Sequence, residues 1–247
     1  MQSSCSGILL RRCHDSVSLS LKVLYNLRMN AEINNLNKIK EIVSGHKPRP
    51  VGKFRKYSVI VPLIEKDGEI HLLFEIRSDN LRKQPGEVSF PGGKFEPNET
   101  AEKCAIRETS EELGIPEDTI TSFGALNYII TYSNFTMYAF AATIAYDTMQ
   151  KAKPNPLEVK EIFYVPLQFF LDTEPEIYTN ILKPEVHDDF PTHKLSNIAG
   201  EEGYKWGTGR SDVPMYTWQP PGGEEIVIWG LTARVIQDFV KILKEEG

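Results

Sequence analysis

Apolar and polar positions first fall into an orderly pattern at residue 57. Residues 57–64 (Tyr-Ser-Val-Ile-Val-Pro-Leu-Ile) and 69–77 (Glu-Ile-His-Leu-Leu-Phe-Glu-Ile-Arg) are rich in β-branched, aromatic and aliphatic side chains, and Glu65-Lys66-Asp67-Gly68 between them is a turn signal. This predicts a β-hairpin. Residues 87–90 predict a third, short strand that stops at Pro91-Gly92-Gly93. Over residues 99–113 strong helix formers take over; Gly114 closes the helix and Pro116 cannot continue it. Residues 119–146 carry no charge, but Thr, Ser and Asn interrupt them throughout, so they predict a buried hairpin turning at Tyr132-Ser133-Asn134, not a membrane span. One more strand is expected at 159–165 and a last one at 226–229. A final helix over 231–246 follows, with Leu231, Val235, Phe239, Val240 and Leu243 on one side. Residues 172–224, rich in Pro, Gly, Asp, Glu and His, show no sustained period and read as a long excursion, a candidate lid or substrate loop. Strands and helices mixed in this order predict an α/β fold with a mixed β-sheet packed between helices.

Composition adds limits. With 247 residues, 40% hydrophobic and 25% charged, the chain has the make-up of a globular protein able to bury a sizeable core. A net charge of −6 argues against a general nucleic-acid binder. The charge is unevenly spread: residues 1–56 carry 11 basic and 3 acidic side chains, the remainder 17 and 31. Residues 1–55 read as an N-terminal extension and 56–247 as one domain containing the excursion. Within the extension, residues 1–28 hold Arg11, Arg12, Lys22 and Arg28 against a single acid, Asp15, with six serines. That is the composition of a transit peptide, with a disordered tail or a start at Met29 as the plainer readings. Cytoplasmic location is expected, or mitochondrial if 1–28 is a genuine transit peptide. Cys5, Cys13 and Cys104 form no CxxC pair and predict neither a disulfide framework nor a zinc site.

Candidate chemistry centres on the helix. At about 100° per residue, Glu108, Glu111 and Glu112 fall within a sector roughly 100° wide, so three carboxylates point one way. Like charges at this spacing destabilise a lone helix, and a hard divalent cation would offset them. Ala105, Thr109 and Leu113 lie on the neighbouring face, suited to packing on a sheet. Gly92 and Gly93 allow a close backbone approach just before the helix, and Arg107 can pair with Glu99 or a ligand glutamate. The bland alternative is a solvated acidic face. Cys104 has no histidine beside it and reads as a small core residue. His187 and His193 read as surface, and Lys47, Arg49, Lys53, Arg55 and Lys56 as a basic patch able to steer an anion.

The spacing G-x5-E-x7-R-E-x-x-E-E-x-G is met by Gly93, Glu99, Arg107, Glu108, Glu111, Glu112 and Gly114, with Ile115 following. It resembles the signature of the Nudix hydrolases; Thr109 departs from the aliphatic residue common there. The resemblance implies the Nudix α/β/α sandwich, with Glu108, Glu111 and Glu112 binding Mg²⁺ or Mn²⁺ and Gly93 adding its backbone carbonyl. It implies Glu111 or Glu112 as ligand and base, Arg107 with Glu99 organising the helix, and Gly92 and Gly114 in structural roles. A glutamate of the excursion, or Glu224 or Glu225, stays open as the base. The run 77–93 (Arg-Ser-Asp-Asn-Leu-Arg-Lys-Gln-Pro-Gly-Glu-Val-Ser-Phe-Pro-Gly-Gly) is similar to the segment preceding that signature in coenzyme A pyrophosphatases, except at Gln84, where a histidine is common. Further similarity lies at 132–135, 161–167 and 228–234. Arg77, Arg82 and Lys83 are then candidate partners for substrate phosphates. The expected activity is metal-dependent cleavage of the diphosphate of coenzyme A or an acyl derivative, with no nucleic-acid or membrane partner and a homodimer left open. ADP-ribose or another nucleoside diphosphate derivative is the alternative substrate, and a non-catalytic nucleotide-binding module the alternative class.

Overall fold

The computed structural model describes residues 35–195 and 204–246; Cys5, Cys13 and the transit-peptide reading of residues 1–28 lie outside them. The chain divides into two units, residues 1–52 and 53–247. In the first, helix α1 (Leu36–Ser44) is capped by Asn35, whose side chain accepts from the Asn37 N–H at 2.9 Å.

The second unit begins with the predicted hairpin. Strands β1 (Arg55–Lys66) and β2 (Glu69–Arg77) pair antiparallel, and Asp67 and Gly68 both take positive φ at the turn, as a two-residue hairpin loop requires. β3 (Val88–Ser89) pairs with β2, and β4 (Gly92–Lys94) pairs with β1. Helix α2 (Ala101–Leu113) starts at Thr100, whose side chain accepts from the Lys103 N–H, and ends at Gly114 in the left-handed conformation. β5 (Ile120–Ala125), β6 (Ile129–Ile130) and β7 (Phe135–Ile144) follow, and the short helix α3 (Tyr146–Met149) leads to β8 (Val159–Pro166), which pairs with β2. β7 runs parallel to β1 and every other pairing in this eight-stranded sheet is antiparallel, so the sheet is mixed, as expected.

Helix α4 (Leu167–Asp172) leads into β9 (Glu176–Leu182), then β10 (Gly209–Trp218), β11 (Ile226–Trp229) and α5 (Gly230–Glu246). β9 and β10 correct the expectation for residues 172–224. They pair from Gly209↔Leu182 to Met215↔Glu176, and with β11 they make a three-stranded antiparallel sheet. The pattern concealed them because β9 is exposed at nearly every position, which leaves no apolar and polar alternation to read.

Strand parity assigns the two faces of the large sheet. Val61, Leu72, Phe74, Ala139 and Ala141 belong to one core cluster with Ala233, Val235, Ile236 and Phe239 of α5. Ile60, Ile64, Leu73, Ala142 and Ile144 belong to the other, with Ala105 and Leu113 of α2. Leu243, expected on the packed side of α5, is 38% exposed, and Ala233 and Ile236 are the buried members instead. β10 joins the first cluster through Tyr216 and Trp218, whose rings lie 5.2 Å from Phe170 and 4.9 Å from Phe169.

Candidate active site

The site forms where β4 turns into α2. Ala105, Thr109 and Leu113 are fully buried, as their helical face predicts, which directs the adjacent face toward Gly92 and Gly93. Arg107 is its organising residue. Its Nε donates to Glu99 Oε1 at 2.9 Å and Nη2 to Glu99 Oε2 at 3.1 Å; Nη2 also donates to Glu108 Oε1 at 2.9 Å and the Lys94 carbonyl at 3.3 Å, while Nη1 reaches Glu111 Oε2 at 3.1 Å. This fork holds the Glu99 carboxyl well below the usual range, at about 2. Glu99 in turn accepts from the Glu96 N–H at 2.9 Å, so the loop before α2 and the helix itself are tied through one guanidinium.

The three helix glutamates do not share one environment. Glu112 is 5% exposed, and its Oε2 accepts from the Gly92 N–H at 2.7 Å. Burial, and then the charge of Glu75, push its carboxyl up to about 9. Glu108 is half-buried against Gly93, and burial raises its carboxyl as well. Glu111 points outward with 58% of its side chain exposed, drawn by Arg107 one turn earlier. The expectation of three carboxylates aimed together therefore holds for Glu108 and Glu112, while Glu111 turns toward Arg107 and solvent. Gly92 and Gly93 earn their lack of side chains: a Cβ at Gly92 would lie 2.2 Å from the Ser58 carbonyl oxygen, and one at Gly93 would lie 2.2 Å from Glu108 Oε2. A Cβ at Gly114, the helix terminator, would lie 2.0 Å from the Lys153 carbonyl oxygen.

Two acids outside the predicted set bear on this cluster. Glu75 of β2 is fully buried, and Glu158, just before β8, is half-buried; the charges of both act on Glu112. The backbone places Glu158 there: its carbonyl accepts from the Ser78 N–H at 2.8 Å, and the Asn155 N–H donates to the Glu112 carbonyl at 2.8 Å. The sequence signal for Glu75 was an acid at a core position of an apolar strand. Glu158 gave no such signal. Glu224 and Glu225, held open as bases, are exposed between β10 and β11.

Of the candidate phosphate ligands, Arg77 stands near the cluster, with Nη1 4.0 Å from Glu75 Oε1 and a buried Nε that has no hydrogen-bond partner. Arg82 and Lys83 are exposed in the loop between β2 and β3, with no ion pair to either among the described residues. Cys104 is buried, as expected, and donates to the Gly93 carbonyl at 3.7 Å; burial pushes its thiol up to about 12. His187 and His193 are surface residues.

The donors suit a hard divalent cation. Glu108 Oε2, the second oxygen of Glu112 and the Gly93 carbonyl are all oxygen donors, and positive charge would relieve two carboxylates that burial disfavours. No three His, Cys, Asp or Glu side chains stand in a chelating arrangement among the described residues, so waters and substrate oxygens would complete the shell. No described helix is long and apolar enough to cross a membrane.

The class to which the chain belongs comes from comparison with known families. The model of the NUDIX domain matches residues 54–183, and the chain belongs to this family. The mouse protein "Peroxisomal coenzyme A diphosphatase NUDT7" is 36% identical over 140 residues, 56% of this chain and 57% of its own. The human "Mitochondrial coenzyme A diphosphatase NUDT8" is 32% identical over 194 residues, 77% of this chain and 70% of its own. The chain thus spans little more than half the length of the first of these relatives. A solved MutT/nudix family protein from Enterococcus faecalis aligns over 87% of this chain and 71% of its own, with 14% identity and a TM-score of 0.46.

Proposed function

We propose that the chain is a Mg²⁺- or Mn²⁺-dependent pyrophosphatase that adds water across the diphosphate linkage of coenzyme A or an acyl derivative, releasing 3′,5′-ADP and (acyl-)4′-phosphopantetheine. The observation that carries this reading is the pair Glu108, half-buried against Gly93, and Glu112, buried against Gly92, with Arg107 holding Glu108 in place. The run 77–93 and the printed names of the two diphosphatase relatives support the substrate class. Glu108, Glu112 and the Gly93 carbonyl would hold the cation, with Glu111 on its outer side. When bound, the ion supplies neutralisation of the phosphoryl oxygens. Glu111, exposed and ready to meet water, or Glu112 accepts the proton of the attacking water. Arg107 acts by positioning, and Arg77, Arg82 and Lys83 bind phosphate groups, among them the 3′-phosphate that distinguishes coenzyme A. The −14 balance beyond residue 56 is unsuited to nucleic acid. For location we keep the cytoplasm, or the mitochondrion if residues 1–28 direct a fused reporter there.

The test is a substrate panel of coenzyme A, acyl-coenzyme A, ADP-ribose and a dinucleoside polyphosphate, each with Mg²⁺ and Mn²⁺ and with products separated by chromatography. Coenzyme A or its acyl form should give the highest kcat/KM, with 3′,5′-ADP as product. A higher value on ADP-ribose would move the substrate assignment. Tight nucleotide binding without turnover across the panel would establish a binding module instead.

A further inference from the structure

β2 alternates strictly. Leu72, Phe74 and Ile76 pack in the cluster that includes α5, while Leu73 packs in the cluster that includes α2. Glu75 and Arg77 share the parity of Leu73, so both side chains lie on the face that α2 covers. Glu75 sits in the sheet interior, with Ser89 of β3 opposite on one side and Ile162 of β8 on the other. Its Oε1 accepts from the Ser89 hydroxyl at 3.0 Å, and its Oε2 is buried with no hydrogen-bond partner. A carboxylate buried this way costs several kcal/mol unless something compensates it. Arg77 does so weakly, at 4.0 Å, and its own Nε is left buried and unpaired.

What faces Glu75 is acidic. Glu112 comes from α2 above with its Oε2 held by Gly92, and Glu158 comes from the chain that enters β8. The charge of Glu158 acts on both Glu75 and Glu112, and Glu75 is the largest charge acting on Glu112. An interior that aligns acids from a sheet, a helix and a loop, and leaves one oxygen orphaned among them, is arranged for a positive charge.

We propose that Glu75 is a further ligand of the divalent-cation site: a carboxylate borne by the sheet that, with Glu112 from the helix, brackets a cation position which the carboxylates of α2 alone do not complete. The proposal rests on the hydrolase reading in one respect, that a divalent cation binds at this helix. Two carboxylates with water and substrate oxygens are enough for Mg²⁺ or Mn²⁺.

The test is Mn²⁺ binding to the full, substrate-free chain, read by calorimetry and by the loss of the free Mn²⁺ electron paramagnetic resonance signal. Wild type, Glu75→Gln and Glu112→Gln are compared, with a thermal melt of each. Glu75→Gln keeps the size of the side chain and its bond from Ser89, and it should melt no lower than wild type while binding Mn²⁺ at least tenfold more weakly. Wild-type Mn²⁺ affinity in Glu75→Gln, with Glu112→Gln weakened, would overturn the proposal and leave the helix site standing. A wild-type chain that takes up no Mn²⁺ would overturn both readings. Should Glu75→Gln fail to fold, Glu75→Asp decides by the same titration: weakened binding supports the proposal and unchanged binding overturns it.

Discussion

One methyl group at residue 93 tests the site at its narrowest point. In Gly93→Ala the new Cβ would stand 2.2 Å from Glu108 Oε2, 2.3 Å from its Cδ and 2.8 Å from Oε1. Ordinary contact begins near 3.4 Å, so the Glu108 carboxylate must retreat by about 1.2 Å. A side-chain tip can do this by rotating, and the fold should survive. The carboxylate would leave its place against Gly93 and strain its bond from Arg107. A displacement near 1 Å in catalytic geometry costs roughly 10²-fold, about 2.7 kcal/mol in transition-state stabilisation. Gly92→Ala is the control, because its Cβ meets backbone instead: the Ser58 carbonyl oxygen at 2.2 Å and Val59 Cα at 2.6 Å, with φ at 149°. The β1 and β4 pairing cannot yield in the same way, and that variant should lose roughly 3 kcal/mol or more of stability. The assay is steady-state hydrolysis of the preferred substrate at saturating Mg²⁺, beside a thermal melt. Gly93→Ala with kcat/KM within twofold of wild type would refute the placement of Glu108. A melt as low as that of Gly92→Ala would show that residue 93 matters for folding and not for the site.

Three further outcomes follow from the same geometry. Arg107→Lys keeps a charge but loses the fork to Glu99, and should cost roughly 2–4 kcal/mol, a Tm fall of about 5–15 °C, together with most of the activity. Glu112 and Glu75 both titrate above their unfolded values, at about 9 and about 7. The stability they lend the metal-free chain is therefore full below pH ~4.5 and is lost as pH rises through 7 and then 9. In chelator at pH 8, Glu112→Gln should accordingly melt above wild type, by about 2–4 °C per kcal/mol relieved, while failing to hydrolyse substrate; a lower melt at that pH would contradict the sign. Cys104, buried with its thiol near 12, should resist iodoacetamide in the native chain and react in guanidinium, as peptide mapping would read.

How much of this was legible beforehand follows the physics of each element. The β1–β2 hairpin, α2 and β11 were readable because their signals are local: runs of β-branched and aliphatic residues, an Asp-Gly turn, a stretch of helix formers and a closing Gly. The pairing of Arg107 with Glu99 was also legible, since both lie near one helix. β4 was not read as a strand, because two of its three residues are glycines, and the strand it pairs with is the distant β1. β9 was hidden by its exposure. Glu75 and Glu158 join the site through strand parity and loop placement, and such long-range placement leaves no periodic trace around the residue itself. Glu111 shows the opposite limit: its helical angle was right, yet an ion pair with Arg107 decided where the carboxylate points.

The family match ends at residue 183, but the side of the sheet opposite α2 is closed by what comes later. Val61, Leu72 and Phe74 pack in one cluster with Ala233, Val235, Ile236 and Phe239, and the Thr232 hydroxyl donates to the Val88 carbonyl at 3.1 Å. A fragment cut to residues 54–183 would therefore keep every residue of α2 and still expose to water much of the apolar sheet face that α5 covers, a surface that drives aggregation. The smallest piece of this chain fit for independent production extends through α5, and a boundary drawn from similarity alone would discard the packing behind the sheet on which α2 rests.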